Sequence, residues 1–430
     1  MSGFLTRGHP QAVAAVAAMV AGSSPPHALL IAGPSGAGKT TLALDLAAGL
    51  LCDAPEPSAR PCRACRGCRL VDTGRHADLH RLAPSGPGDQ IRIGNRSDPE
   101  PGTIRRLISE LALLPVEGGR RVAIVERAER LNDEAQSALL KTLEEPPAGV
   151  TIVLCVERED QLLPTVRSRC VRLRLGPVGT RDIEAILGDQ GVADEPTAAL
   201  LARLAGGRPG LARAWALAPE AVVARGEIVR SILDLLRASP ARRLAAIREL
   251  IARTAELDRA LGRPRAAGPV ETVHTRAGRA GKGASRRGPD TAPSVDAGDS
   301  IGASESPTAE SPASAAADAD ADEAAETTDA DEPRDARAPA SERRRAATML
   351  VAIWREVARD LAVAGLGDDR LVRDPGLLDD LRAAAGIPTG ELAAFLERLD
   401  RSGELLEANA SPELVLDVLV LGWPQLSRAA

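Results

Sequence analysis

Aromatic residues and lysines are scarce in this 430-residue chain. It contains no tyrosine, two phenylalanines and three tryptophans, and among its 54 basic residues only Lys39, Lys141 and Lys282 are lysines. The length is enough for two or three domains, and the 44% of residues that are apolar supply ample material for a core, which must be built from aliphatic side chains. Because lysine is so rare here, a lysine that completes a motif carries more information than it would in an average chain.

Long apolar runs and an excess of positive charge are also absent. No run reaches the roughly 18 residues of a membrane-spanning helix, and residues 1–11 lack the apolar segment of a signal peptide. The net charge of −6 gives no overall basic field of the kind that attracts nucleic acid. We therefore expect a cytoplasmic protein with no membrane contact.

A glycine-rich segment at residues 33–40, GPSGAGKT, matches the phosphate-binding pattern G-x-x-x-x-G-K-[ST]. Its glycines allow backbone N–H groups to turn toward anionic oxygens, Lys39 would reach the outer phosphates, and the Thr40 hydroxyl would bind Mg²⁺. An apolar strand precedes the segment and a helical pattern follows it, so the phosphates would meet a helix N-terminus. A glycine-rich turn that arises by chance is the alternative. The candidate nucleotide-binding residues are Gly33, Pro34, Ser35, Gly36, Ala37, Gly38, Lys39, Thr40 and Thr41.

Four of the six cysteines lie close together with the spacing C-x9-C-x2-C-x2-C. Clustered thiols in a cytosolic chain indicate a metal site rather than disulfides, and four thiolates match tetrahedral Zn²⁺. Three arginines that flank the cysteines would offset the charge of the thiolates. The candidate zinc ligands are Cys52, Cys62, Cys65 and Cys68, and the arginines are Arg63, Arg66 and Arg69.

Other interpretations of the cysteine cluster stay open at this stage. An iron–sulfur cluster also uses C-x2-C-x2-C spacing, although the sequence shows no evident redox partner for one. His76 or His80 could replace Cys52 as the fourth ligand. The plainest alternative is that three thiols are exposed while Cys52 is merely buried at a helix end. The remaining Cys155 and Cys170 lie in apolar segments and are expected to be ordinary buried thiols.

Helical and strand patterns alternate from residue 10 to about residue 174, which predicts a parallel sheet with the glycine-rich loop at its carboxyl edge. Within this part, residues 104–114 carry apolar side chains at helical spacing, and Asn132 is a candidate N-cap for a helix that stops before Pro146. Beyond residue 174 the patterns are helical alone. Residues 262–343 are mostly small, polar or charged, so they are predicted to be disordered, with folding on a partner as the alternative.

The chemistry depends on the residues directly after the apolar strand at 122–125. A P-loop ATPase places two adjacent carboxylates there, one to help hold Mg²⁺ and one to polarise the attacking water. Here the next residues are Glu126 and Arg127. Glu126 could still reach a metal ion, but a guanidinium stays protonated and cannot act as a base. Glu129 stands two residues further on, where it can face solvent. Because no carboxylate stands at the position of Arg127, the sequence predicts nucleotide binding with poor turnover.

Further segments resemble those of the bacterial DNA polymerase III clamp-loader family of AAA+ proteins. They are KTLEEPP at 141–147, LLPTVRSRC at 162–170 and GGRPGLA at 206–212, together with the cysteine cluster. The resemblance covers nearly the whole chain except 262–343. It implies that Arg208 falls near the sensor-2 arginine and joins Glu126 among the nucleotide-binding residues. It also implies that Arg169, in the Ser-Arg-Cys triplet, is a finger that completes a neighbour's ATP site. A helix-end arginine that caps carbonyl groups is the alternative for Arg169.

The same resemblance implies a fold, cofactors and partners. The fold would be an α/β AAA+ P-loop domain, with a parallel sheet flanked by helices, followed by a small helical lid and an all-α C-terminal collar domain. The implied cofactors are structural Zn²⁺ and ATP with Mg²⁺. The partners would be the motor (gamma/tau) and delta subunits, in a hetero-oligomeric ring of the DNA polymerase III holoenzyme that loads the sliding clamp onto primer-template DNA. The implied domains are 1–175 for the AAA+ domain with its zinc module at 52–68, 176–217 for the lid, 218–261 with 344–430 for the collar, and 262–343 for the insertion.

Two kinds of subunit in that family share these segments, the ATP-hydrolysing motor gamma/tau and the stator delta-prime. This chain resembles delta-prime more closely, because it lacks the motor's Asp-Glu pair, carries Arg167 before the Ser-Arg-Cys triplet, and reads Cys155-Val156-Glu157 where the motor commonly has Thr-Thr. Its intact P-loop departs from that pattern, since many delta-prime chains have a degraded one.

The sequence leaves three functional hypotheses. The first is a ring-assembly subunit with little catalysis of its own. The second is an active motor, for which Glu126 and Glu129 suffice. The third is an unrelated P-loop kinase or a zinc-bearing repair NTPase. ATP turnover by the isolated chain separates the first two, and co-purification with a clamp loader separates both from the third.

Overall fold

The computed structural model describes residues 3–22, 25–85, 89–117, 119–262, 339–384 and 386–426. The predicted insertion at 262–343 therefore lies outside the described residues, except at its edges. There the chain is helical, because one helix ends at Gly262 and another begins at Ala340. An ion pair between Glu342 and Arg259, 3.0 Å apart, ties the start of the second helix to the end of the first. The local composition does not reveal such a contact.

A five-stranded parallel sheet forms the centre of the N-terminal domain. Its strands are β1 (Ala28–Ala32), β2 (Leu79–Leu82), β3 (Arg121–Val125), β4 (Val150–Val156) and β5 (Val171–Arg174). The order across the sheet is β2-β3-β4-β1-β5, and every neighbouring pair is parallel. β1, β3 and β4 are buried along their whole length, as expected for strands that helices cover on both faces. The carboxyl ends share one edge, so the loops after β1, β3 and β4 meet there.

Helices cover both faces of this sheet. They are α1 (Pro10–Ala21), α2 (Lys39–Leu50), α3 (Arg66–Asp72), α4 (Ile104–Leu111), α5 (Asp133–Glu144) and α6 (Pro164–Arg167). Along β1, Leu29 and Ile31 face a core shared with α1 and α2, whereas Leu30 faces a second core shared with α4 and α5. This alternation follows from the two-residue period of a strand. Asn132 caps α5 as predicted, because its Oδ1 accepts the Ala135 N–H at 2.9 Å.

Helix α4 is shorter than the apolar pattern predicted. The pattern extends to Leu114, but the helix ends at Leu111 and Leu114 is 88% exposed. The chain leaves the helix because buried Asp78, just before β2, accepts the backbone N–H groups of Val116 and Glu117 at 2.7 and 2.8 Å. A contact from a distant segment therefore overrides the local pattern.

Helices alone follow the sheet in the described part of the chain. They are α7 (Thr180–Asp189), α8 (Glu195–Ala205), α9 (Pro209–Leu217), α10 (Pro219–Asp234), α11 (Pro240–Gly262), α12 (Ala340–Gly365), α13 (Leu378–Ala383), α14 (Thr389–Glu407) and α15 (Pro412–Leu421). They share one apolar core, in which Trp354, Phe395 and Trp423 meet with ring centroids 4.6–5.8 Å apart. The predicted fold class is confirmed: an α/β P-loop domain is followed by a helical lid and an all-α region. Within the described ranges, no helix has the length and apolarity that crossing a bilayer requires.

Candidate nucleotide and metal sites

The glycine-rich loop joins the carboxyl end of β1 to the first turn of α2. Gly38 is the N-cap of α2 with φ 101°, a conformation that residues with a side chain rarely adopt, and no side chain caps the helix there. The first N–H groups of α2 are therefore available to an anion. Pro34 and Ser35 are exposed at the tip of the loop, and Thr40 is half-buried in the first helical turn. Residues 33–38 thus form the loop, and residues 39–41 begin α2.

Lys39 folds back onto this loop. Its side chain is buried, and its Nζ donates to the carbonyl oxygens of Gly33 (2.8 Å) and Pro34 (3.0 Å). Burial lowers the pKa of Lys39, and the negative charges of Glu157 and Glu129 oppose that shift. Two carboxylates therefore act on the lysine that the motif assigns to the phosphates.

Glu129 and Glu157 come from the loops after β3 and β4, which are neighbouring strands. Oε2 of Glu129 accepts the Glu157 N–H at 3.3 Å. Glu129 lies in a short 3-10 turn, Ala128–Arg130, and its side chain is half-buried. It is therefore less exposed than the solvent-facing position that the sequence allowed. Burial raises the pKa of Glu129, and the charge of Glu157 adds to that shift. Sequence reasoning missed this pair, although two acidic residues after two buried strands were a usable signal.

Glu126 and Arg127, directly after β3, are both held by side chains from elsewhere. Glu126 accepts two N–H bonds from Arg81 of β2, at 3.0 and 2.5 Å. Arg127 has a left-handed φ of 52° and pairs with Asp89. In sequence, Arg127 occupies the place of the carboxylate that would polarise water. A protonated guanidinium cannot accept a proton, so this residue offers no general base.

The lid helix α9 rests on the glycine-rich loop. The Gly210 N–H donates to the Gly36 carbonyl oxygen at 2.9 Å. Gly36 has φ 76°, and a Cβ added there would lie 3.2 Å from the Leu211 nitrogen, so both conformation and close approach favour glycine. Arg208, the predicted sensor-2 residue, immediately precedes α9 and starts beside this loop. Its Nη2 donates to Oε1 of Glu356 in α12 at 2.7 Å, a partner that the sequence did not indicate.

The four clustered cysteines form one compact set of donors. Their sulfur atoms all lie within 4.8 Å of one another, and those of Cys52 and Cys65 are 3.9 Å apart. Tetrahedral zinc–thiolate sites have Zn–S distances of about 2.3 Å, which places neighbouring sulfurs about 3.8 Å apart. All four cysteines are free thiols. The residues present therefore fit a tetrahedral metal ion.

Backbone N–H groups point at the sulfur atoms of this cluster. The Cys62 N–H donates to Cys52 Sγ (3.5 Å), the Cys65 N–H to Cys62 Sγ (3.3 Å), and the Cys68 N–H to Cys65 Sγ (3.3 Å). Hydrogen bonds from Ala64 and Cys65 lower the pKa of Cys62 to about 6, whereas burial raises the pKa of Cys52 and Cys68. Donors of this kind stabilise thiolate, the form that binds a metal.

The two histidines considered as substitutes for Cys52 lie outside the cluster. Nδ1 of His76 accepts the Asp78 N–H at 3.1 Å, and Nδ1 of His80 lies 2.9 Å from a carboxylate oxygen of Glu110. Cys52 is itself part of the compact donor set. The structure therefore favours the four-cysteine ligand set over a set that includes histidine.

Arg63, between the cysteines, has carboxylate partners of its own. It pairs with Asp45 of α2 and with Asp72 of α3. Asp45 is fully buried and also accepts the backbone N–H groups of Leu5 and Thr6 at 3.0 and 2.8 Å. The cysteine loop is thus fastened to the P-loop helix and to the N-terminal segment. That the arginines also offset the thiolate charge stays a prediction.

Arg169 lies just past the short helix α6. Its Nη1 donates to the Thr165 carbonyl oxygen at 2.8 Å, and its Nη2 pairs with Glu144 at 2.5 Å. The side chain is 33% exposed. The carbonyl contact is the one expected of a helix-end cap, while the exposure leaves the guanidinium accessible from outside the domain. Features of both alternatives are therefore present at this residue.

Known proteins similar to this chain include subunits of DNA polymerase III. Residues 8–179 match the family model described as DNA polymerase III, delta subunit. The DNA polymerase III subunit delta' of Pseudomonas aeruginosa is 37% identical over 186 residues, which cover 43% of this chain and 53% of that protein. The tau subunit of DNA polymerase III from Salmonella typhimurium is 35% identical over 186 residues, which cover 42% of this chain and 27% of that protein. Residues 8–179 are thus similar to subunits of the DNA polymerase III clamp-loader family.

The matched residues 8–179 make up less than half of this chain, and the chain spans about half the length of the curated delta' relative. Among solved structures, a DNA polymerase III gamma subunit-related protein from Thermotoga maritima aligns with 57% of this chain and 73% of its own, at 22% identity and a TM-score of 0.31. The similarity of residues 8–179 to DNA polymerase III subunits favours a clamp-loader protein over an unrelated kinase or repair NTPase. Because delta' and tau relatives match almost equally well, the role within the clamp-loader family depends on the residues of the site.

Proposed function

We propose that this chain is a delta-prime-like subunit of the DNA polymerase III clamp loader. It would assemble with motor and delta subunits into the ring that loads the sliding clamp onto primer-template DNA during replication. Arg127 carries the proposal, because a guanidinium paired with Asp89 stands where a motor needs a carboxylate that polarises water. The family assignment of residues 8–179 supports the wider role.

The glycine-rich loop supports nucleotide binding by this subunit. The N–H groups at the start of α2 and the Lys39 ammonium suit the phosphates of ATP, and the Thr40 hydroxyl lies in the first turn, where it could bind Mg²⁺. Glu126 could support that metal through water only after release from Arg81. We therefore propose that the subunit binds ATP and hydrolyses it poorly on its own.

The cysteine cluster would hold one structural Zn²⁺. Four protein thiols fill a tetrahedral coordination shell, which is the arrangement of structural rather than catalytic zinc. The ion would hold together the loop that connects α2 to α3. That part of the N-terminal domain, which follows the P-loop helix, would become more rigid.

Arg169 would act on the ATP site of a neighbouring motor subunit. Its guanidinium is partly exposed, and Glu144 occupies one side of it. A partner's γ-phosphate could replace that carboxylate. A cation delivered there stabilises the charge that develops during phosphoryl transfer, an effect on the order of a thousandfold or more in known cases.

An exposed apolar stripe on the last described helix supports assembly into a ring. Leu414, Val418 and Leu421 of α15 are 66%, 73% and 47% exposed. Positions i, i+4 and i+7 share one face of a helix, so the stripe is continuous. Contiguous exposed apolar surface of this kind marks protein–protein contacts. We assign it to the collar contact with a neighbouring subunit.

Reconstitution with the motor and delta subunits of the same organism tests the proposal. The isolated chain should bind a fluorescent ATP analogue but hydrolyse ATP well below about one turnover per second. In the assembled ring, Arg169→Ala should leave assembly intact and lower clamp-stimulated hydrolysis at one site by roughly tenfold or more. Arg169→Lys should restore little, because lysine lacks the planar fork that grips phosphate oxygens.

Arg172→Ala is the matched control for the arginine finger. Arg172 is also exposed and pairs with Glu159, but it lies on β5, outside the Ser-Arg-Cys triplet. Single-turnover hydrolysis in the ring should be normal for this variant. If every site of an intact Arg169→Ala ring also hydrolyses ATP at the normal rate, Arg169 only caps the Thr165 carbonyl.

A gamma/tau-like motor is the second candidate, and one observation favours it. Glu129 is half-buried with a raised pKa and acts electrostatically on Lys39. A carboxylate of this kind beside the phosphate-binding lysine is a candidate general base. Under this hypothesis Glu126 and Glu129 suffice for turnover. Steady hydrolysis by the isolated chain that Glu129→Gln abolishes would favour the motor, whereas absent turnover would count against it.

A further inference from the structure

We propose that Glu356 is a built-in competitor of the nucleotide for Arg208. In the structure this carboxylate of α12 binds the guanidinium that precedes the lid helix α9. Nucleotide phosphates at the loop would take the arginine away from Glu356. Nucleotide binding would therefore break a link between the lid and the C-terminal helices. The inference rests on the proposed binding of nucleotide at residues 33–41.

Arg208 starts close enough to the loop to serve either partner. The Gly210 N–H donates to the Gly36 carbonyl oxygen at 2.9 Å, and a Cβ added at Gly36 would lie 3.5 Å from the Arg208 Cβ. The arginine side chain therefore leaves the backbone directly beside the loop. At its far end, Nη2 reaches Glu356 at 2.7 Å while Nε donates to the Ala205 carbonyl oxygen at 2.9 Å. One long side chain thus stands between the carboxylate and the phosphate-binding turn.

The surroundings of Glu356 hold more positive than negative charge. Besides Arg208, Glu356 pairs with Arg225 at 2.9 Å and with Arg373 at 3.3 Å. The second carboxylate, Asp374, pairs with Arg225 at 3.1 Å. Three guanidinium groups therefore face two carboxylates. If an incoming anion pairs with one guanidinium, the remaining two guanidinium groups face two carboxylates, and the charges in the cluster balance.

Glu356 would also remain paired after such an exchange. Its side chain is 11% exposed and that of Arg225 is 4% exposed, so an unpaired charge there would be costly. Loss of Arg208 leaves Glu356 in contact with Arg225 and Arg373. The adjacent pair of Arg359 and Asp360, 2.6 Å apart, adds no net charge. Release of Arg208 therefore does not leave a buried carboxylate without a cationic partner.

Competition of this kind couples the loop to the C-terminal helices. The apparent affinity for nucleotide is reduced by the fraction of molecules in which Arg208 is held by Glu356. Bound nucleotide must weaken that contact by the same factor, because linkage between two binding equilibria is reciprocal. The lid-to-α12 contact then reports whether the loop is occupied.

Equilibrium binding of a fluorescent ATP analogue to the full chain tests the proposal. Glu356→Gln keeps an acceptor for Arg225 but removes the charge that holds Arg208, so it should tighten binding about fivefold. Asp374→Asn is the matched control, because it removes one negative charge from the same cluster without touching Arg208, and it should bind like the wild type. The double variant Arg208→Ala with Glu356→Gln should bind no more tightly than Arg208→Ala alone.

Several outcomes would overturn the inference. They are unchanged binding by a folded Glu356→Gln protein, an equal gain in Asp374→Asn, and a gain that persists in the double variant. If Glu356→Gln does not fold by circular dichroism, Glu356→Asp keeps the charge, shortens the side chain and should tighten binding about twofold. No change in that variant also overturns the inference. If neither the wild type nor any Glu356 variant binds the analogue, the proposed nucleotide site itself is wrong.

Discussion

One buried carboxylate, Asp45, should be essential to the stability of the N-terminal domain. It accepts the backbone N–H groups of Leu5 and Thr6 at 3.0 and 2.8 Å and the Thr6 hydroxyl at 2.6 Å. Arg63 of the cysteine loop is its ionic partner. Asp45 itself lies in α2, so it joins the N-terminal segment, the P-loop helix and the cysteine loop. Asp45→Ala would leave the Leu5 and Thr6 N–H groups and the Thr6 hydroxyl without this acceptor, and Arg63 with Asp72 as its carboxylate partner.

The expected loss is large because Asp45 is 0% exposed. Breaking a buried ion pair by removing one partner costs about 3–5 kcal/mol, and each buried donor left unpaired costs about 1–3 kcal/mol. These costs overlap, since the site can relax and admit water. We therefore expect Asp45→Ala to lower the free energy of unfolding by about 4 kcal/mol. Asp72→Ala is the matched control, because Asp72 pairs with the same Arg63 from a position that is 36% exposed, and it should cost less than about 1 kcal/mol.

Urea unfolding of the purified variants, followed by circular dichroism, measures this difference. Metal content is measured beforehand, because Arg63 lies between Cys62 and Cys65, and we expect Asp45→Ala to retain zinc less firmly than Asp72→Ala. Equal losses of stability in the two variants would refute the argument. So would a loss below about 1 kcal/mol in Asp45→Ala, the value of a surface pair.

Further predictions concern the metal, the loop and its carboxylates. Metal analysis should find about one zinc per chain, and Cys65→Ser combined with Cys68→Ser should lose it; iron with visible absorption, or full retention of zinc in the double variant, would contradict this. Lys39→Ala should abolish binding of a fluorescent ATP analogue, with Lys141→Ala as the control outside the loop, and equal binding by both would remove the loop from the site. Glu129→Gln should raise the thermal stability at neutral pH, because burial raises the pKa of Glu129 in the folded state. The folded protein then binds that proton more tightly than the unfolded chain, so stability is lost as pH rises through the folded pKa. The gain from Glu129→Gln should therefore vanish at about pH 4, and thermal melts that show the same gain at both pH values would count against it.

Much of the fold could be predicted because its signals are local. The apolar runs at β1, β3 and β4 are short, continuous and bounded by turn residues, which is typical of buried strands in a parallel sheet. The start of α5 follows from Asn132, whose capping contact spans three residues. The glycine-rich loop is likewise contained within a few positions, so its pattern is visible in the sequence.

The candidate site was only partly predictable, because its decisive contacts join distant segments. Glu129 meets Glu157 across 28 residues, since the strands that carry them are neighbours in the sheet. Arg208 meets Glu356 across 148 residues, and residues 262–343 lie between them in sequence. Helical periodicity cannot report contacts of this range. It failed for the same reason at Leu114, where a distant carboxylate draws the chain out of the helix.

Under the proposed delta-prime-like function, the chain would hold ATP at an intact phosphate-binding loop and hydrolyse it poorly. A nucleotide that is bound and not hydrolysed acts as a ligand, and at about 1,000 times its Kd it stabilises the bound conformation by about 4 kcal/mol. That free energy is not consumed by chemistry, so it remains available to shift the equilibrium between conformations. If Arg208 moves from Glu356 to the phosphates, as proposed, the binding free energy of the nucleotide changes the contact between the lid and α12. Nucleotide in this subunit would then set the position of the lid against the C-terminal helices, while hydrolysis takes place at the neighbouring site that Arg169 completes.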